Sequence, residues 1–376
     1  MIQPRSFIET LQQSGIDFYA GVPDSLLKYV CACLTDHVSR DKHIIAANEG
    51  AAVALAAGYH LATNKVGCVY MQNSGEGNAV NPLLSLVDKD VYHIPLLLLI
   101  GWRGEPGVHD EPQHVKQGKV TLSLLDTMGI GYEVLDENWQ QQTNHAIDVI
   151  RQTGDVFALV VRKGVFDEYK LQMQIPSSFL LSREDAIKIV VDNLRDDDVV
   201  VSTTGMISRE LFEYREAKQQ GHGRDFLTVG SMGHASQIAL GIALQKPDRR
   251  VLVFDGDGAM LMHLGSMAII GDYCPKNLVH IVFNNGAHDS VGGQPTVGQQ
   301  IDVEAIAKAV GYVDVASVDD EQSLKMALNR INDTAVGGVS LININVRKGN
   351  RANLGRPTTT PIQNKEAFMK NLASEK

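Results

Sequence analysis

VLVFDGDGAML at positions 251 to 261 and VFNNGAHDS at 282 to 290 decide how this chain is read. Each begins as an apolar strand pattern. The first ends in an acidic glycine turn, the second in two asparagines. Mg²⁺ takes near-octahedral oxygen ligands and is usually shared between one or two protein oxygens and substrate phosphates. Asp257 and Asn285 supply two such oxygens, while Gly256 and Gly258 let the backbone approach closely. The pattern from 259 to 271 is helical, and a helix N-terminus directly after the turn offers free N–H groups to phosphate oxygens. Taken singly, DGDG reads as a tight turn and NNG as a loop signal. Paired at the ends of two buried-looking strands, they predict a clamp for a metal-bound diphosphate.

Working outward, apolar runs alternate with helical patterns along the whole chain. FYAGV, HIIAA, VGCVYMQ, IPLLLLIG and VFALVVR occupy the first half, and DVVVST, RRVLVFDG, LVHIVFN and VSLININV the second. Continuous apolar runs separated by helices predict parallel sheets covered on both faces. The expected fold class is therefore α/β, with two doubly wound parallel-sheet domains. The stretch KLQMQIPSSFLLSREDA, 170 to 186, has no period, carries Pro176, and ends at Ser182 before acids that open a new helix. It predicts a linker at 171–182 between domains spanning 1–170 and 183–376. A length of 376 residues suits two domains. The tail from Lys348, KGNRANLGRPTTTP, is basic and turn-rich, and reads as a lid or a surface strap before a last short helix.

Charge and composition remove other classes. With 34 basic against 44 acidic residues the formal net charge is −10, which argues against nucleic acid as the main partner. An anionic substrate then needs a local basic pocket. No run of eighteen apolar residues predicts a membrane span. The opening MIQPRSFIETLQQSG reads as an amphipathic helix without an apolar signal core, so a cytoplasmic location is expected. Cys31, Cys33, Cys68 and Cys274 lack the paired spacing of a zinc site and are expected to be reduced thiols.

GDG followed by NN resembles the diphosphate-binding signature of the thiamin-diphosphate-dependent enzymes. The resemblance implies a thiamine diphosphate cofactor with Mg²⁺ held by Asp257, Asn285 and the backbone carbonyl of Ala287. It also implies a pyrimidine-binding first domain, a diphosphate-binding second domain, and a homo-oligomer of at least two chains sharing active sites. Such enzymes hold a glutamic acid against the pyrimidine ring. HIIAANEGAAVALAAGYHLAT supplies Glu49 for this task at a strand-to-helix junction. Read without the resemblance, Glu49 is an acid in a helix's first turn, where the dipole favours it. Under it, Glu49 is catalytic, and burial is expected to raise its pKa and keep it protonated. VGSMGHASQIALG resembles the loop that grips the bent cofactor, through the Gly230 carbonyl and the Met232 side chain. MQNSGEGNAVNPL resembles the loop beside the pyrimidine, with Asn73 and Ser74 as cofactor contacts, though it reads equally as a plain turn.

Three further segments bear on the substrate. GVPDSLLK places Asp24 and Ser25 at a strand end, where open α/β sheets bind ligands. GWRGEPGVHDEPQHVKQGK follows the IPLLLLI strand and is crowded with ionisable side chains. HDSVGGQ adds His288 and Ser290 directly after the metal ligands. With no room for a middle domain, these segments resemble the two-domain decarboxylases of this family. The implied reaction is non-oxidative decarboxylation of 3-phosphonopyruvate to phosphonoacetaldehyde and CO₂, in phosphonate biosynthesis. The alternatives are the sulfonate analogue, another 2-keto acid decarboxylation or carboligation, and more remotely a non-catalytic nucleotide-binding protein. Against the last, no GxGxxG opens a βαβ unit. Asp24 and His114 are the candidates for proton handling, with His109 nearby in sequence. Arg103 and Lys116 are the candidates for the phosphonate, because a guanidinium matches such oxygens bidentately; both otherwise read as a solvated loop.

Overall fold

The computed structural model describes residues 1–173, 177–333 and 337–374. The chain forms two compact units, Met1–Ile175 with Val291–Gln294, and Pro176–Ser290 with Pro295–Lys376. Of the expected linker, residues 174–176 lie outside the described ones. Helix Arg183–Asp192 starts where the sequence predicts, with the Ser182 side chain accepting from the Asp185 N–H.

The first unit is a six-stranded parallel sheet of β1 (Tyr19–Gly21), β2 (His43–Ile45), β3 (Gly67–Gln72), β4 (Leu96–Gly101), β5 (Gly131–Val134) and β6 (Phe157–Val161), in the order β2-β1-β3-β4-β6-β5. Side chains alternate across a strand, and here both faces are covered. Tyr19, Cys68, Leu97, Leu99, Phe157 and Leu159 enter one core, while Ala20, Val69, Met71, Leu98, Ala158 and Val160 enter the other. Two buried faces explain why these strands read as unbroken apolar runs.

The second unit repeats the plan. It contains β7 (Val199–Ser202), β8 (Asp225–Leu227), β9 (Val251–Gly256), β10 (Leu278–Asn284), two two-residue strands β11 (Ala287–His288) and β12 (Gln294–Pro295), then β13 (Asp314–Val318) and β14 (Ser340–Asn345). Its six-stranded parallel sheet runs β13-β14-β10-β9-β7-β8. Phe254, Ile281, Phe283 and Ile342 fill one core, and Val201, Val253, Val282 and Leu341 the other. In each sheet the connections from two neighbouring central strands leave in opposite directions, at β1 and β3 and at β7 and β9, and such switch points form crevices at the carboxyl ends of the strands.

Two elements position the candidate site. Helix Glu49–Thr63 begins under an Asn48 cap whose side chain accepts from Ala51 N–H, and ends at Asn64 in the left-handed region, φ 57°. The helical pattern expected over 259–271 is in fact two helices, Asp257–Met262 and Gly265–Tyr273. The break falls at His263, whose ring packs 4.4 Å from that of His234. Among the described residues no helix is long and apolar enough to cross a membrane.

Candidate active site

Strand register builds the clamp of the second unit. Phe283 on β10 lies opposite Gly256 on β9, so one or two steps past the strand ends bring Asp257 and Asn285 together. The Asp257 carboxylate accepts from the backbone N–H of Asn285 and of Gly258, and from the Thr296 hydroxyl. It is 2% exposed, and burial pushes its pKa up to about 6 against the pull of those neutral donors. Among the described residues no Lys, Arg or His pairs with it. A buried carboxylate without a cation is costly, and a bound divalent ion removes that cost. The remaining donors are also hard oxygens. The Asn285 side-chain oxygen accepts from Ala287 N–H at 3.1 Å, which leaves a second lone pair, and Ala287 itself is buried. Among the described residues no cluster of three or more His, Cys, Asp or Glu forms a softer metal site. The residues fit Mg²⁺ and a diphosphate.

The turn beyond β10 is fastened from inside. Asn284 donates to the Gly298 carbonyl at 2.8 Å, and Thr296 N–H to the Gly286 carbonyl at 2.9 Å. Gly258 has a steric reason: a Cβ there would stand 2.9 Å from the His288 ring and 3.4 Å from the end of Met232. Those contacts bring Met232, Gly258 and His288 to one place. Desolvation pulls the His288 pKa down to about 4, so the ring is neutral at physiological pH. Ser290 is exposed, and lies 4.0 Å from where a Cβ on Gly205 would be.

In the first unit Glu49 is 5% exposed at the start of its helix. Burial raises its pKa, and the Asn78 amide, donating to Oε2 at 2.7 Å, opposes that rise only in part. Gly75 packs against the carboxyl so closely that any Cβ would overlap it. Glu49 is thus a buried acid at the strand-to-helix junction, with its pKa raised by burial.

A second cluster collects at the carboxyl ends of β1, β3 and β4. Asp24 is fully buried, accepting from Leu26 N–H at 2.9 Å and from the Gln72 amide at 2.5 Å. Burial raises its pKa, while those donors and Arg103 act the other way. With both oxygens engaged, it anchors the turn after β1. Arg103 gives its Nε (2.7 Å) and Nη2 to Asp110 and its Nη1 to the Ser25 hydroxyl (2.7 Å). Burial resists ionisation of Asp110, but the Arg103 pair and the Gly104 N–H outweigh it and hold the carboxyl below its usual range. His114, beside this pair, has its pKa lowered to about 4 by burial and then by the Arg103 charge. Its Nδ1 has no hydrogen-bond partner. Asn73 is fully buried and spends its amide on the Arg103 backbone and on Thr121. Ser74 donates to Gln72. Lys116 and His109 are exposed. The sequence reading did not single out Gln72, Asp110, Thr296 or Asp289. Their types are ordinary, and only the fold brings them to these carboxylates and amides.

A buried glutamic acid in one α/β unit and an acid–amide oxygen clamp after β9 and β10 in another define a thiamine-diphosphate-dependent enzyme. Comparison with known families agrees: residues 4–127 match the N-terminal TPP binding domain of thiamine pyrophosphate enzymes, and residues 203–344 match the C-terminal TPP binding domain. The chain belongs to this family, in its two-domain decarboxylase branch, and is a carboxy-lyase that uses thiamine diphosphate. It is 35% identical to phosphonopyruvate decarboxylase of Streptomyces viridochromogenes over 96% of this chain and 93% of that one. The same enzyme of Streptomyces hygroscopicus is 35% identical, over 96% and 92%. Sulfopyruvate decarboxylase of Methanosarcina acetivorans is 29% identical over 91% of each chain.

Proposed function

We propose that the chain decarboxylates 3-phosphonopyruvate to phosphonoacetaldehyde and CO₂ with thiamine diphosphate and Mg²⁺. The observation that carries the choice of substrate is the likeness to two phosphonopyruvate decarboxylases along nearly the whole chain, above that to the sulfopyruvate enzyme. The bound cofactor supplies the nucleophilic carbon and the electron sink for decarboxylation. The protein supplies positions and protons. Residues 1–170 hold the pyrimidine, where Glu49 keeps a proton at ring N1′, with Gly75 pressing on its carboxyl. Residues 183–376, beyond a linker at 171–182, hold the diphosphate. There Asp257, Asn285 and the Ala287 carbonyl take Mg²⁺, Gly256 and Gly258 admit phosphate oxygens, and the Gly230 carbonyl and Met232 support the rings.

Arg103 and Ser25 form the substrate's anion contact in this reading. Of the five guanidinium N–H bonds, three are engaged by Asp110 and Ser25, and two remain for phosphonate oxygens. Lys116 adds an exposed positive charge. Asp24 and His114 are the proton-handling groups of this reading, and His288 and Ser290 are substrate contacts.

The enzyme acts as at least a homodimer in this reading. Helix Glu49–Thr63 is almost entirely small and apolar, and Ala51, Ala54, Gly58 and Leu61 lie exposed on it. Apolar all-round helices are normally covered.

A panel of purified enzyme, Mg²⁺, thiamine diphosphate and several 3-substituted pyruvates, scored for aldehyde and CO₂, tests the assignment. Phosphonopyruvate is expected to give the highest kcat/KM, and Glu49→Gln to lose at least about 100-fold, the usual scale of a positioned acid. A higher kcat/KM for sulfopyruvate would overturn the substrate assignment.

A further inference from the structure

The Asn285 amide is held at both ends. Its nitrogen donates to Asp289 Oδ2 at 2.7 Å, and its oxygen accepts from Ala287 N–H at 3.1 Å. A carboxylate only accepts and a backbone N–H only donates, so both contacts demand the same orientation of an amide whose two ends are otherwise interchangeable. Asp289 Oδ2 is itself a junction. It accepts from Arg183 Nη1 at 3.1 Å and from Gly349 N–H at 3.0 Å as well as from Asn285.

Arg183 is not free to turn away. Its Nε and Nη2 grip Glu210 bidentately at 2.8 and 2.9 Å, with both side chains at most 5% exposed. A planar guanidinium clamped on one edge aims its remaining nitrogen in a fixed direction, and that direction is Asp289. The tail residue Gly349 is held in turn, because Arg351 two residues on pairs with Glu184 and Glu213. The chain Glu210, Arg183, Asp289, Asn285 thus runs from a buried ion pair to the clamp, and the C-terminal strap joins it at Asp289.

We propose that Asp289 is the positioning residue of the metal site, fixing the Asn285 amide with its oxygen toward the cation and tying that oxygen to the Arg183–Glu210 pair and the tail. The inference rests on the reading of Asp257 and Asn285 as Mg²⁺ ligands. Without Asp289 the Asn285 nitrogen loses its acceptor, and only the 3.1 Å contact from Ala287 N–H still opposes a turn that presents a donor to the cation. Partners behind a metal ligand typically matter 10–100-fold for metal affinity. Arg183 keeps its bidentate partner when Asp289 is removed, so the fold should survive the change.

The test is Mg²⁺ affinity, read by calorimetric titration of Mg²⁺ into metal-free protein with saturating thiamine diphosphate, beside the melting temperature of the metal-free protein. Asp289→Ala is expected to raise the Mg²⁺ Kd by at least about 10-fold with little change in melting. Asp289→Asn, which keeps an oxygen acceptor for Asn285, is expected to stay within a few-fold of the parent. If Asp289→Ala does not fold, Asp289→Ser, whose hydroxyl sits one atom short of Asn285, is expected to show the same loss. Parent-like Mg²⁺ affinity in the alanine or serine variant, or equal losses in alanine and asparagine variants, overturns the positioning role. Absence of any Mg²⁺ heat in the parent would overturn the metal-site reading itself, a separate result from parent-like binding in the variants.

Discussion

Glu76 is a second buried acid in the first unit, and its circumstances differ from those of Glu49. It opens the helix Glu76–Pro82 at 2% exposure, and its Oε1 has no hydrogen-bond partner. Burial alone pushes its pKa from 4.5 up to about 8. The unfolded chain therefore ionises Glu76 near its ordinary value, while the folded chain keeps the proton to about pH 8. Across that window the native state binds the extra proton, so stability falls as pH rises, by up to about 1.4 kcal/mol per pH unit. Glu76→Gln, which cannot ionise, should remove this slope. Urea unfolding at several pH values should find the variant more stable than the parent near pH 8, with the gap closing toward pH 5. A gap independent of pH would show that Glu76 is ionised in the native state. The sequence displays Glu76 inside MQNSGEGNAVNPL as one more acid in a helix's first turn. Glu49 looks no different in composition; what marked it was its place before an apolar helix, together with the family pattern. Burial of a single acid is a tertiary property, and no local pattern carries it.

At the scale of elements, the strands legible in the sequence are the central ones and one edge strand, β2, whose HIIAA run is short but apolar. β3, β4, β6, β9, β10 and β14 are buried on both faces and read as apolar runs. The missed strands of the two six-stranded sheets are GYEV of β5, DFL of β8 and DVASV of β13, and all three are sheet edges. An edge strand pairs on one side only and is free to be short and polar, so its pattern fades into that of a loop. The split of the helix after DGDG was hidden for a related reason, since the packing of His263 against His234 is set between distant segments. Gly271 gives this scale a prediction. It lies in helix Gly265–Tyr273, and an added Cβ would overlap the Val310 carbonyl. Alanine has the better helix propensity by roughly 0.8–1.0 kcal/mol. A backbone oxygen cannot yield as a side chain does, so overpacking, typically about 1–3 kcal/mol, should win. Gly271→Ala is expected to lower the urea midpoint while Mg²⁺ and thiamine diphosphate binding is retained in the folded fraction. A raised midpoint would mean that the helix shifts away from Val310 at small cost.

For the whole molecule, the apolar surface left on a single chain sets the expectation. Leu61 is 75% exposed near the end of the Glu49–Thr63 helix, and a Cβ added to Gly58 one turn earlier would meet nothing within 4 Å. The second unit has the same character: helix Ala235–Gln245 has an open Gly241, and helix Gly265–Tyr273 carries Ile269 and Tyr273, 50% and 61% exposed. Scattered exposed apolar residues are ordinary in a monomer, whereas several on largely apolar helices are what a surface covered by another chain would show. Glu49 begins one of these helices, so in the proposed homodimer the interface and Glu49 share an element. Leu61→Glu places a charge where a covered surface needs an apolar side chain, and a buried hot spot of this kind is worth about 2 kcal/mol or more, roughly 30-fold in the dimer Kd. Sedimentation velocity over a dilution series should find the parent dimeric or larger and the variant dissociating at concentrations at least about ten times higher. If the active site is shared as proposed, turnover per chain should fall along the same dilution curve. Two results would count against this arrangement: a parent that is monomeric and fully active, or a variant that dissociates without losing activity.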